Sequence, residues 1–141
     1  MMARRLPSTE DVARVAAFRA ALRQFLRRSE RVARQSGLTP QRHLLLLMIK
    51  GSPDGSEQST VTELAERLQL AQSTVTELVR RAEETGLIDR ERSTADGRIA
   101  YLRLSPEGER RLALSFTTNE SERQALLDAF SHLEGRQLLP N

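Results

Sequence analysis

Apolar residues recur at Val15, Phe18, Leu22, Phe25 and Val32. This three-then-four spacing places them on one stripe of a helix from about Asp11 to Ser36, close to a heptad seam. Arg19, Arg23, Arg27 and Arg31 climb the same helix at intervals of four, on a face turned away from the stripe. Such a row reads first as a solvated face, with phosphate contact as the alternative. Gly37 ends the helix; Thr39 and Pro40 open the next as N-cap and first helical residue. The run "RHLLLLMIK" is apolar nearly all round, which predicts a helix buried on most sides. "GSPDGSEQS", Gly51 to Ser59, is a polar loop.

Thr60 and Glu63 have the spacing of a capping box, and Leu64, Ala65 and Leu68 form a short apolar face behind them. A brief turn at Gln69 to Ala71 leads into "QSTVTELVRRAEETG", a second short helix closed by Gly86. Leu87–Glu91 and Ile99–Leu104 then alternate around a turn carrying Asp96, Gly97 and Arg98, which predicts a hairpin. Ser105 and Pro106 start a further helix. A polar break at "TTN" follows, with Asn119 and Glu122 as a fresh cap for a last helix that sets Leu126, Phe130 and Leu133 on one face. The pattern predicts a mainly α chain with a small β-hairpin, in which two short helices and the hairpin form a helix-turn-helix with an attached loop.

A length of 141 residues suits one compact domain, residues 1–141. The absence of cysteine removes disulfides and thiolate metal sites, and His43 and His132 are the only histidines, far apart and without ligand-type spacing. No metal and no cofactor is therefore expected. No paired acid and base, activated nucleophile or phosphate-binding Gly loop suggests an enzyme. With no apolar run of membrane length and no leader pattern, neither a span nor secretion is expected, and a cytoplasmic location follows by elimination. The net charge is +3, yet the basic residues are almost all arginine, with Lys50 the single lysine. Arginine suits bidentate phosphate and guanine contacts, but a GC-rich coding sequence has the same effect on composition, so charge alone identifies no partner.

On the wheel of the second short helix, Val75, Leu78, Val79 and Ala82 cluster on one side. Ser73, Thr76, Glu77 and Arg80 face the other way, flanked by Gln72 and Thr74. Recognition helices enter the major groove by their N-terminal half. There Gln72 suits an adenine edge, Thr74 or Thr76 a thymine methyl, and Arg80 a phosphate or guanine; ordinary helix-start chemistry is the bland alternative for the Ser/Thr residues. Arg98, at a tip beyond Gly97, has little packing role and suits the narrow, electronegative minor groove. Asp96 is expected to support the tip by pairing with Arg90 or Arg92.

Together these stretches resemble the winged-helix core of the MarR family of bacterial transcriptional regulators. The resemblance rests on the "LTPQ" helix start, the "ELAERL" helix, "STVT", the "GLIDR" strand, and the Asp-x-Arg followed by "LSPEG". It implies a DNA-binding lobe over residues 38–108 and dimerisation helices at 11–36 and 105–134. It further implies a homodimer that usually represses transcription from a pseudo-palindromic operator on double-stranded DNA. Ser73, Thr74, Thr76 and Arg80 would face the major groove, and Arg98, supported by Asp96, the minor groove. A small anionic or phenolic ligand would relieve repression from a pocket, for which Phe18, Leu22, His43 and Leu47 are the candidate lining.

Three positions depart from the family pattern. Ala71 stands where a Ser or Asp cap is common. Glu77 stands where a basic residue is common, and either accepts from a cytosine amino group or neutralises Arg81 one turn on. The stretch between Gly108 and "NESERQ" is short, which predicts a reduced dimer arm. A winged-helix module that contacts protein instead of DNA is the rival reading; a cation at the wing tip argues for DNA.

Overall fold

The computed structural model describes residues 4–134. Among them the order is α1 (Thr9–Gln35), α2 (Pro40–Lys50), α3 (Val61–Leu68), α4 (Gln72–Glu84), β1 (Ile88–Arg92), β2 (Ala100–Leu104), α5 (Pro106–Thr118) and α6 (Glu120–Glu134). This is the mainly helical chain with one hairpin that the pattern predicts. The ends of the expected single domain, residues 1–3 and 135–141, lie outside the described residues.

Local chemistry sets the helix ends. Ser8, Thr39 and Ser105 each accept with the side-chain oxygen from the backbone N–H three residues on, all at 3.1 Å. At α3 the capping box is complete: Glu63 N donates to Thr60 Oγ1 at 3.2 Å, and Thr60 N donates to Glu63 Oε1 at 3.1 Å. Gly37 and Gly86 take φ of +76° and +74° just past α1 and α4. Each is followed by an N–H that reaches back to the helix, Leu38 to Ala33 O and Leu87 to Ala82 O, both at 2.9 Å. Asn119 differs from expectation. The "TT" of the predicted break continues α5, Asn119 closes that helix instead of capping the next, and its buried Oδ1 has no hydrogen-bond partner among the described residues.

The core gathers on α2. Leu45, Leu46 and Ile49 meet Leu64 of α3, Val75 and Val79 of α4, and Leu102 of β2, all fully buried. Burying such side chains contributes about 1.5–3 kcal/mol each, before the entropy of ordering the chain is set against it. Burial of α2 is less complete than its apolar run predicts, because Leu44 stays 41% exposed. The stripe on α1 is likewise graded: Val32 is buried, Phe18, Leu22 and Phe25 are half-buried, and Val15 is exposed. α6 packs along α1 through Phe18 and Phe130, whose ring centroids lie 6.0 Å apart, and through Arg28 Nε and Glu122 Oε1 at 3.0 Å.

The strands pair antiparallel from Ile88 opposite Leu104 to Arg92 opposite Ala100. Leu87 and Ile99, expected inside the ladder, lie just outside it: Leu87 O accepts from Ser105 N and Ile99 O from Ser93 N. Ser59 adds a single bridge to Leu102, with N–O distances of 3.1 and 2.9 Å, which anchors the hairpin to the residue before the α3 cap. Among the described residues no helix is long and apolar enough to cross a membrane.

Candidate nucleic-acid interface

α4 buries Val75, Val79 and Ala82 and half-buries Leu78, as the wheel predicts. That seating turns Gln72, Ser73, Thr74, Thr76 and Arg80 outward, all exposed. Ala71 supplies no side-chain cap, so among the described residues the first N–H groups of the helix are left without a capping side chain. Ser73, Thr74 and Thr76 make no side-chain hydrogen bond among the described residues. Their hydroxyls stand at the uncapped, electropositive end of the helix as small donors and acceptors. Gln72 is less free: its Nε2 donates to Thr62 Oγ1 of α3 at 3.3 Å.

Arg80 is held. Its Nε and Nη2 donate to Glu77 Oε2 and Oε1 at 2.9 and 2.6 Å, and its Nη1 donates to Glu84. Glu77 also accepts from Arg81 Nε at 3.1 Å, one of the two roles the sequence offers it. The two guanidiniums, Arg80 first, draw the Glu77 carboxyl down to about 2 and Glu77 in turn raises Arg80 above its usual range. These are exposed i,i+3 and i,i+4 pairs, so they set where charge sits more than they stabilise the fold.

At the hairpin tip the Arg98 side chain is 92% exposed. Asp96 Oδ1 accepts from Arg98 N at 3.0 Å and, at 3.3 Å, from Arg98 Nε. Asp96 thus shapes the turn through Arg98 itself, not through Arg90 or Arg92 as expected. Arg92 Nη1 donates to Gly97 O at 2.8 Å and braces the tip from the strand. Arg90 leaves the wing altogether and pairs with Glu83 on α4, Nη2 to Oε1 at 2.7 Å. The reason is geometric: β1 starts where α4 ends, so its outward side chains pass over the last turn of that helix. No local spacing in the sequence signals that contact, nor the Thr62–Gln72 and Ser59–Leu102 links.

Of the four residues expected to line a pocket, Phe18 and Leu47 meet different elements among the described residues. Phe18 faces Phe130 of α6. Leu47 lines a cavity of about 400 Å³ between α2 and α5, with Leu112, Ala113, Phe116 and Lys50. Lys50 Nζ is shared there by Glu57 and Glu109, each at 3.0 Å. His43 is half-buried on α2, and burial lowers its pKa below 6.5.

Comparison with known proteins bears on the fold that carries these residues. The sequence model described as "MarR family" matches residues 36–99. The HTH-type transcriptional regulator YsmB of Bacillus subtilis is 32% identical over 75 residues, 53% of this chain and 51% of that protein, so the chain spans about half the length of the curated relative it matches. AbsC, a MarR family transcriptional regulator from Streptomyces coelicolor, is 19% identical, with a TM-score of 0.71 over 96% of this chain and 94% of that one. The MepR–DNA complex of S. aureus is 23% identical, with a TM-score of 0.66 over 86% of this chain and 87% of MepR. The two structures share the fold. AbsC is matched over nearly its whole length, so the short α5–α6 region does not set this chain apart from it.

Proposed function

We propose that this chain, whose residues 36–99 match the sequence model described as "MarR family", acts as a homodimeric, sequence-specific DNA-binding repressor. One observation carries the reading: the Ser73, Thr74 and Thr76 edge of α4, without side-chain hydrogen bonds among the described residues, and the Arg98 guanidinium, 92% exposed beside Asp96, are both presented outward by one winged helix. In the proposed complex α4 lies in the major groove, Gln72, Ser73, Thr74 and Thr76 meet base edges, and Arg98 enters the neighbouring minor groove.

Dimerisation through α1, α5 and α6 is supported by apolar side chains left uncovered there. Val12, Leu26, Leu114, Phe116 and Leu127 are each about half exposed or more, and patches of this kind mark interfaces. A dimer would set two copies of α4 roughly 34 Å apart, which calls for a pseudo-palindrome with half-sites one helical turn apart. Responsiveness to a small anionic or phenolic ligand is supported by the cavity beneath Leu47, apolar within and carrying Lys50 at its edge. An anion entering there competes with Glu57 and Glu109 for that ammonium.

The test is selection of bound duplexes from genomic fragments, followed by Arg98→Ala. The expected result is a two-fold symmetric site whose affinity falls by roughly tenfold in the variant, with melting unchanged. Affinity should also fall steeply with salt as phosphate contacts release counterions. Enrichment of no common sequence would overturn the reading.

A further inference from the structure

The outward face of α4 carries an acid at its centre. Glu77 lies one turn beyond Ser73 and Thr74 and one turn before Arg80 and Arg81, and its side chain is 46% exposed. Both carboxylate oxygens are in use, accepting from Arg80 at 2.9 and 2.6 Å and from Arg81 at 3.1 Å. With Glu84 on Arg80 as well, this patch of two cations and two anions has no net charge. The helix face proposed to meet a lattice of phosphates is therefore neutral in the free protein.

Neutrality has a consequence for binding. Arg80 and Arg81 can move to phosphates only by leaving Glu77, whose carboxylate would then face an anionic duplex with no donor. Desolvating an unpaired carboxylate is costly, so that exchange is unfavourable unless something on the DNA donates to it. In the major groove, base-edge donors are the amino groups of cytosine and adenine, and cytosine N4 is the usual partner of a carboxylate. Guanine offers only acceptors there and repels it.

We propose that Glu77 is a specificity-determining residue: it keeps Arg80 and Arg81 from the phosphates of unselected DNA and releases them where a cytosine amino group takes their place on its carboxylate. The inference rests on the DNA-binding reading above. Glu77 stays ionised throughout the neutral range, so the exchange is driven by DNA sequence and not by pH.

The experiment compares full-length wild type with Glu77→Gln on two duplexes of equal length, the selected operator and an unselected sequence, across a salt series. Glu84→Gln serves as the control, since it touches Arg80 but not Arg81. For Glu77→Gln the expected result is roughly tenfold tighter binding to unselected DNA, with a salt slope steeper by about one to two phosphate contacts. Operator affinity should change much less, so the ratio between the two collapses. Replacing the contacted cytosine should cost the wild type roughly tenfold and the variant little. An equal change on both duplexes, or no change on either, overturns the inference. A wild type that prefers no duplex overturns the DNA-binding reading itself, a result distinct from either.

Discussion

Arg90 on β1 and Glu83 on α4 form a bridge between the wing and the helix before it, with Nη2 2.7 Å and Nε 3.2 Å from the same carboxylate oxygen. The two residues belong to different elements, so the contact fixes the angle at which the hairpin leaves α4. Glu83 is the first cause of Arg90's raised pKa, as expected when a guanidinium is neutralised at short range. If α4 and the wing must reach adjacent grooves together, their relative angle matters more than the stability of the pair.

Arg90→Ala is accordingly expected to reduce operator affinity several-fold while costing under about 1 kcal/mol of stability, the usual scale for a partly exposed pair. Titration of labelled operator, read beside urea denaturation, checks both halves. Glu83→Ala should do the same, and the double variant should be no worse than either single one, as coupled residues behave. A stability loss without a change in affinity would make the bridge purely structural.

Acid should weaken the fold in two separate windows. His43 has its pKa lowered below 6.5 by burial. The unfolded chain therefore takes up that proton first, and stability declines as pH falls through 6.5. Glu77 and Glu107 are depressed from 4.5 to about 2 by paired arginines, so what they contribute is complete above 4.5 and fades as pH falls toward 2. Melting temperature should fall between pH 7 and 5 in the wild type, and stay level over that range in His43→Gln. An equal fall in the variant would assign the first window to other groups.

The elements that were legible in the sequence are those built from contacts within a turn or two. The Thr60–Glu63 box, the Thr39–Pro40 start, and Gly37 and Gly86 with positive φ each state their conformation in a few residues. The Val75, Val79 and Ala82 stripe fixes which face of α4 points out, and the Ser/Thr edge follows from it. What escaped is of two kinds. Contacts between elements, Arg90 with Glu83 and Gln72 with Thr62, depend on how pieces pack and leave no local trace. Competition is the other: Arg80 suits a phosphate by residue type, yet Glu77 and Glu84 sit within one helical turn of it and claim it first. Asn119 failed for a related reason, since a residue suited to opening α6 also lies where α5 runs on to Thr118.

Gly108 presents the sharpest steric case. It is buried in the first turn of α5, where its N–H meets the Ser105 hydroxyl at 3.1 Å. The same hydroxyl donates to Gly86 O at 2.5 Å, and Ser105 N donates to Leu87 O at 3.0 Å, so the start of α5 is pinned against the end of α4. A Cβ on Gly108 would lie 2.2 Å from Leu87 O, a backbone atom that cannot rotate away. Gly108→Ala must therefore push α5 off this junction, at a cost of about 1–3 kcal/mol. In a chain of this size that lowers the melting temperature by roughly 3–10 °C. Gly97 in the wing turn is the matched control, because a Cβ there meets nothing within 4 Å. Gly97→Ala should melt with the wild type, and circular dichroism of the two variants side by side decides the matter. If Gly108→Ala also melts with the wild type, α5 does not rest on Leu87 in solution.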